Sequence, residues 1–124
     1  MLWDIVVTDQ FEGWLDAPIV FDQSSASDRN SAEQVVAAVE VLKEEGPLLS
    51  RPLVGKITGS RFKNMKELRP GSAGRSEVRV LFCFDPMRQA VLLLGGDKSG
   101  NWNRWYDRAI PEAERLYEEH LAAL

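Results

Sequence analysis

The sequence predicts a small α+β domain with the element order β-α-α-β-β-β-α, in which an antiparallel twisted sheet carries its helices on one face. Three apolar or alternating segments follow one another between residues 62 and 95, and their short connections favour antiparallel pairing. Apolar residues at helical spacing precede and follow these segments. A chain of 124 residues with 44% hydrophobic and 27% charged residues has the size and composition of one globular domain, 1–124.

The first part of the chain is predicted to supply one strand and two helices. Residues 2–8 alternate like a strand, and residues 11–18 have the spacing of a short helix ended by proline. Residues 22–31 are polar and are predicted to form a loop. Ser31, followed three residues later by Gln34, has the form of a capping box, so the second helix is predicted to begin there and to end at a Gly-Pro pair.

The second part is predicted to supply three strands and a last helix. Residues 48–60 are predicted to form an irregular or weakly extended connector. The strand candidates that follow are residues 62–69, 77–84 and 89–95, each closed by glycine, proline or aspartate. The last helix is predicted to begin at Pro111, since proline is tolerated at the first helical position.

The charged residues are distributed unevenly. Residues 1–50 carry two basic and ten acidic side chains, a net charge of −8, whereas residues 51–80 carry eight and two, a net charge of +6. The whole chain has a net charge of only −4. A local block of positive charge indicates an anion-binding surface, and nucleic acid is the commonest large anion. The alternative is a solvated strand face paired with the acidic helices.

Alternation along the strands predicts which charged residues meet. Arg79 points away from its two valine neighbours, which belong to the core. If Leu68 packs with those valines, then Glu67, Arg69 and Arg79 share the other face. A carboxylate between two guanidinium groups suits a general base on an anion-binding surface. The alternative is a cross-strand salt bridge, worth about 0.2–1 kcal/mol when exposed.

The single cysteine and the single histidine limit other kinds of chemistry. Cys83 has no nucleophile signature around it, and with His120 it cannot make a usual zinc site. His120 falls on the apolar stripe of the last helix, which favours packing over catalysis. The string GGDKSG lacks the spacing of a phosphate-binding loop. No cofactor and no metal are therefore expected.

The sequence gives no reason to expect a membrane partner. The longest apolar run, near residues 90–94, is far shorter than the roughly 20 residues that a membrane-spanning helix needs. The first residues carry an aspartate where a signal peptide carries lysine or arginine. We therefore expect a cytoplasmic protein.

From residue 46 onward the chain consists largely of three strings, GPLLSRPLVGKITGSRFKNMKELRP, RSEVRVLFCFDP and AVLLLGGDKSGNWNRWYDRAIPEAERLYEEHL. In this order they resemble the RelE/HigB-like toxins of bacterial type II toxin–antitoxin systems, particularly the phage-related branch. The resemblance implies the RelE/ParE fold and cleavage of messenger RNA, usually on the translating ribosome. It also implies a tightly bound helix-turn-helix antitoxin of the HigA type.

The resemblance assigns roles to four residues. The arginine of the string RVLF, Arg79, is implied to contact the scissile phosphate, with Glu67 and Arg69 on the same concave face and Lys98 in the loop beside the phosphate. RNA supplies its own nucleophile, the 2′-hydroxyl, so the reaction needs no metal. Arg79 and Lys98 are suited to neutralise the negative charge that develops at the phosphorane, with support from Arg69. Glu67 is suited to accept the proton of the 2′-hydroxyl.

Other candidate site residues are less firmly placed. The general acid is left open between Tyr106, Lys66 and His120. Trp102 and Tyr106 suit base stacking, although with Trp105 their spacing equally suits helix packing. The full set of candidate RNA- or phosphate-binding residues is Lys63, Lys66, Arg75, Trp102 and Tyr106.

Two rival functions share this fold. A ParE-like member of the superfamily inhibits DNA gyrase and catalyses nothing, and such a protein has no need of a phosphate site. A non-toxic RNA- or protein-binding module is the other alternative, and the net charge of −4 favours it mildly.

Overall fold

The computed structural model describes residues 2–17, 21–22, 24–71, 77–99 and 102–124, with side chains throughout except at positions 102 and 103. None of the helices in these ranges is both long enough and apolar enough to cross a membrane. In chain order the strands and α-helices are β1 (Asp4–Val7), α1 (Asp9–Asp16), α2 (Ala26–Glu45), β2 (Val54–Lys56), β3 (Met65–Leu68), β4 (Val78–Phe84), β5 (Gln89–Asp97) and α3 (Trp102–Ala122), and a short 3-10 helix, Gly46–Leu48, follows α2.

The described strands form a five-stranded sheet in the order β1-β5-β4-β3-β2. Strands β2 to β5 pair as an antiparallel meander, whereas β1 pairs with β5 in parallel. The predicted α+β class is confirmed, and the sheet is mixed rather than wholly antiparallel. The difference arises because alternation predicts that residues form a strand but does not predict which strand they pair with. The first strand, β1, pairs with β5 at the edge of the sheet.

Helices cover both faces of the sheet. Phe11 of α1 and Leu42 of α2 belong to one core, which includes Val78, Val80 and Phe82 of β4. The opposite core joins α3 to the other side of the same strands, and its members include Met65, Leu81, Cys83, Ala113 and Leu116. The prediction that all helices share one face is therefore wrong. Strand β4 is apolar on both sides, as is typical of a strand buried on both faces.

Strand β2 is an element that the sequence analysis missed. It contains three residues, and it pairs with β3 so that Gly55 lies opposite Glu67. A strand this short has no alternation to detect. It forms because the edge of β3 offers backbone partners, and Val54 packs into the core shared with α1 and α2.

Helix α2 begins earlier than predicted. Its N-cap is Ser25, whose hydroxyl accepts a hydrogen bond from the amide of Asp28, and the Asp28 carboxylate accepts one from the amide of Asp22. Ser31, the predicted cap, is buried inside the helix. The first turns of α2 are polar, so composition alone made them look like a loop.

Helix α3 also begins earlier than predicted, at Trp102, and Pro111 lies within it. Proline in a helix interior removes one hydrogen bond and crowds the carbonyl four residues before it. Buried contacts of Ala109, Ala113 and Leu116 with the sheet hold the helix together across this point. The carbonyl of Asp107 consequently has no amide partner at position 111.

A buried aspartate fastens the turn between β4 and β5 to the end of α3. The Asp85 carboxylate accepts hydrogen bonds from the amides of Met87 and Gln89 and from the Gln89 side chain. His120 Nε2 lies 2.6 Å from the same carboxylate. Burial raises the pKa of Asp85, but the hydrogen bonds of His120, Gln89 and Met87 together outweigh it and hold the pKa below its ordinary value.

Replacement of Asp85 by asparagine is expected to lower the free energy of unfolding by about 1–3 kcal/mol, because one of the two oxygens that accept hydrogen bonds from buried donors becomes an NH2 group. A carboxyl whose folded pKa is lowered contributes stability above its unfolded pKa of about 3.9, and this contribution is lost as the pH falls through the folded pKa. Urea unfolding should therefore show that wild type loses more stability below about pH 4 than Asp85→Asn does. The matched control is Asp16→Asn, exposed on α1. Identical acid dependence in wild type and Asp85→Asn would contradict this account.

Candidate active site

Four elements bring charged side chains together in one cleft of about 760 Å³. Glu67 comes from β3, Arg79 from β4, Lys98 from the residue after β5, and Tyr106 from the second turn of α3. Arg69, just beyond β3, completes the group. These residues lie on the face of the sheet that α3 covers, where the helix leaves the strand ends open.

The Glu67 carboxylate lies at the centre of the group. Its Oε1 is 3.2 Å from Nε of Arg79 and 3.6 Å from Nε of Arg69. The Tyr106 hydroxyl donates to the carboxylate and lies 2.7 Å and 3.0 Å from its two oxygens. Glu67 is only 3% exposed, so this is a buried network rather than a surface salt bridge of small energy.

The two arginines retain unused hydrogen-bond donors. Nε of Arg69 and Nε of Arg79 are buried, and neither makes a hydrogen bond with the residues that the structure describes. Their contact with Glu67 is thus electrostatic, while another nitrogen of Arg79 donates to the carbonyl of Val78 at 2.8 Å. A buried donor without an acceptor costs free energy. Both arginines also line the cleft, and planar guanidinium groups suit an anion with several oxygens, such as phosphate.

Lys98 and Tyr106 have perturbed pKa values. Lys98 is 3% exposed, and its pKa is lowered, first by burial and then by repulsion from Arg79. Burial, followed by the hydrogen bond to Glu67, raises the pKa of Tyr106 to about 12. The tyrosine therefore keeps its proton at neutral pH and can donate a hydrogen bond to Glu67.

Glycines on the neighbouring strands leave room for these side chains. A Cβ at Gly55, which lies opposite Glu67, would overlap the guanidinium of Arg69. A Cβ at Gly96, which lies opposite Arg79, would overlap the ring of Trp105. Both glycines thus allow a close approach that any larger residue would prevent.

The predicted meeting of Glu67, Arg69 and Arg79 on one face is confirmed, since Leu68 packs in the core with Val78 and Val80. Lys98 and Tyr106 join them.

Lys66 does not join the site, because it alternates with Glu67 along β3. Its Nζ lies 5.7 Å from the ring centre of Phe84, on the other face of the sheet. Lys63 is exposed but does not line the cleft. His120 pairs with Asp85 near the opposite end of α3. Of the three candidate acids, Tyr106 alone lines the cleft.

Of the remaining candidate residues, some are buried in the core and the others lie outside the described part of the structure. Trp105 packs in the core under α3, as the packing alternative predicts. Cys83 is fully buried, and burial raises its pKa to about 12. Arg75 and the side chain of Trp102 lie outside the described part of the structure.

Sequence reasoning missed a second set of cleft residues. Lys56 and the stretch 57–59 were assigned to a connector, because β2 is too short to recognise. Asp107 was placed before the last helix, because that helix was predicted to begin at Pro111. A helical spacing that ran back through Trp105 to Trp102 was the available signal for a longer α3.

The fold and the cleft define a small α+β protein with a candidate anion-binding active site. Residues 22–118 match the family described as "Phage derived protein Gp49-like (DUF891)". The chain belongs to this family.

Two proteins of Mycobacterium tuberculosis (strain ATCC 25618 / H37Rv) are similar to the chain. One, named "Putative toxin HigB2", is 61% identical over 95 residues, which cover 77% of this chain and 47% of that protein. The chain thus spans about half the length of that relative. The other, named "Putative toxin HigB3", is 48% identical over 119 residues, which cover 96% of this chain and 94% of that protein. These matches confirm the resemblance to HigB-like toxins.

Proposed function

We propose that this protein is the toxin of a type II toxin–antitoxin pair and acts as a ribosome-dependent endoribonuclease on messenger RNA. The observation that carries the proposal is the Glu67 carboxylate held between Arg69, Arg79 and the Tyr106 hydroxyl inside an open cleft. The names of the two mycobacterial relatives support the toxin assignment. In this proposal the protein acts in the cytoplasm.

The cations of the cleft would bind the scissile phosphate. The guanidinium groups of Arg79 and Arg69 line the cleft, where they can donate to phosphate oxygens, and Lys98 adds a third positive charge at the same cleft. Because these donors are already in place, they can stabilise the additional negative charge of the transition state without reorganising. Glu67 keeps the two guanidinium groups from repelling one another before RNA binds.

Glu67 and Tyr106 would move the two protons. As the 2′-hydroxyl oxygen bonds to phosphorus, Glu67 accepts its proton; as the bond from phosphorus to the 5′-oxygen breaks, Tyr106 donates its proton to that oxygen. Glu67 then returns a proton to Tyr106 across their hydrogen bond, 2.7 Å long. The products are a 2′,3′-cyclic phosphate and a free 5′-hydroxyl, and no metal takes part in this scheme.

Induced expression of the chain, with and without its antitoxin, tests the proposal. We expect growth arrest only without the antitoxin, a helix-turn-helix protein encoded beside the toxin, and new messenger 5′ ends during arrest. Cleavage on programmed ribosomes should survive chelation of metal when ribosome integrity is controlled, and fragments should end in cyclic or 3′ phosphates. Intact messages with broken DNA would instead indicate gyrase inhibition, and unimpaired growth would indicate a non-toxic binding module.

Replacement of Gly55 by alanine is expected to reduce cleavage about tenfold to 10²-fold, because the new methyl group displaces the guanidinium of Arg69 and misplaces a phosphate donor. Stability should change little, since a flexible side-chain end can move away. Initial cleavage rates and thermal unfolding of the same preparations would measure the two effects. The control is Gly13→Ala in α1, where a Cβ meets nothing within 4 Å. Wild-type cleavage by Gly55→Ala would show that Arg69 does not contribute.

A further inference from the structure

We propose that the cleft contains a nucleobase slot beside the phosphate-binding residues, and that Asp107 selects guanine in this slot. The inference rests on the proposed ribonuclease function. It concerns residues of the cleft that the phosphate and proton-transfer steps leave unused.

One wall of the slot is the cleft-facing side of α3. Tyr106, Ile110 and Glu114 recur at intervals of four residues, so they lie on one side of the helix and are about 6 Å apart along its axis. The wall of the cleft is therefore charged near Tyr106 and apolar near Ile110. Pro111 beside it also lines the cleft.

The other wall is the stretch 57–59, which follows β2. Ile57 is half-buried and lines the cleft together with Thr58 and Gly59. Apolar side chains thus border the cleft on both sides, from Ile57 on the loop and Ile110 on the helix. A planar base extruded from a single strand is usually bound between such apolar surfaces.

Glu114 holds the two walls at a fixed separation. Its Oε2 accepts hydrogen bonds from the amide of Arg61 at 2.8 Å and from the hydroxyl of Ser60 at 3.0 Å. Arg61 also forms an ion pair with Glu118, one turn further along α3. The loop is therefore tied to the helix, and the slot is formed before any ligand binds.

Asp107 is an acidic residue in a cationic cleft. It is exposed and lines the cleft, and its carboxylate makes no ion pair or side-chain hydrogen bond with the residues that the structure describes, although Arg104 is one turn away. A carboxylate near a phosphate site opposes anion binding. Its presence is explained if it faces the part of a nucleotide that donates hydrogen bonds.

The helix around Asp107 is irregular because residue 111 is a proline. Proline has no amide hydrogen, so the backbone carbonyl of Asp107 has no helical partner four residues on. Both Asp107 and Pro111 line the cleft. The Asp107 carboxylate, beside a turn of the helix in which one backbone amide is missing, is a hydrogen-bond acceptor on the wall of the cleft.

This arrangement suits guanine better than the other bases. The Watson–Crick edge of guanine presents an imino N–H beside an amino group, and a carboxylate can accept from both at once. Adenine and cytosine present an amino group alone, and uracil presents one imino N–H. Guanine is therefore the base that uses most of the acceptors at Asp107.

Binding of the four nucleoside 3′-monophosphates to the purified protein tests the slot directly. We expect guanosine 3′-phosphate to bind best, and Asp107→Asn to weaken its binding on the order of tenfold while the affinity for uridine 3′-phosphate stays the same. Asp16→Asn, on the opposite face, is the matched control and should bind like wild type. Equal binding of all four nucleotides, or equal weakening of all four by Asp107→Asn, would overturn the inference.

Mapping of cleavage sites separates this inference from the proposed function. Wild type should cut next to guanosine more often than base frequency predicts, and Asp107→Asn should lose this preference. Cleavage with the same base distribution in both proteins would refute the slot and leave the ribonuclease intact. Selective binding of guanosine 3′-phosphate without any cleavage by wild type would support the slot and refute the ribonuclease.

Discussion

Arg79→Ala is expected to lower messenger cleavage by about 10²- to 10³-fold and to abolish growth arrest, because in our proposal Arg79 is a transition-state donor on the wall of the cleft. Arg79 is on β4, whose neighbours on both sides are paired strands, so its backbone is fixed. Arg79→Lys should recover only part of the activity. A lysine restores the charge but not the planar group that can contact two phosphate oxygens.

The matched control for Arg79 is Arg115→Ala. Arg115 pairs with Glu112 and Glu119 on the exposed side of α3 and does not line the cleft. The Arg115→Ala protein should remain toxic when it is expressed at the wild-type level. Circular dichroism and antitoxin binding would verify that Arg79→Ala is folded. Full toxicity of a folded Arg79→Ala protein would mean that the arginine is only a salt-bridge partner, and the site assignment would be wrong.

Tyr106→Phe and Glu67→Gln should each slow cleavage by about 10²- to 10⁴-fold, the usual effect of removing a general acid or base. The two residues share one hydrogen bond and act in one proton relay in our proposal. Their effects should therefore not add: the double variant should be about as slow as the slower single variant. Single-turnover rates on programmed ribosomes would give the three values.

A second tyrosine provides the control for the lost hydroxyl. The Tyr117 hydroxyl donates to the carbonyl of Phe84 outside the cleft, so Tyr117→Phe should affect stability rather than the rate of cleavage. Additive losses in the double variant would show that Tyr106 and Glu67 act in separate steps. A fully active Tyr106→Phe would exclude the tyrosine as the acid.

The part of the site that could be predicted depends on local geometry. Neighbouring residues of a strand point to opposite faces, so the meeting of Glu67 with Arg79 follows from alternation and one assumption about Leu68. Alternation could not predict that α3 packs on the second face of the sheet. Leu81 and Cys83 sit in an unbroken apolar run, and such a run does not reveal which element packs on either side.

The predicted starts of α2 and α3 were wrong because a local sequence rule allowed more than one position for each. Proline suits the first position of a helix, but Pro111 lies inside α3 because buried contacts on both sides outweigh the lost hydrogen bond. Ser25 and Ser31 both have the chemistry of a helix cap, and the tertiary structure uses the first. Asp107 precedes Pro111, so it was not predicted to belong to the last helix.

The parallel pairing of β1 with β5 has a consequence for synthesis of the chain. Asp4 is paired with Gln89, and Tyr106 follows its partner Glu67 by 39 residues, so neither the sheet nor the cleft can be assembled from a nascent segment. Domains fold as units as they leave the ribosome, and long-range pairing of this kind is slow. If the proposed function holds, the cleft is therefore incomplete, and the chain inactive, until α3 has been synthesised.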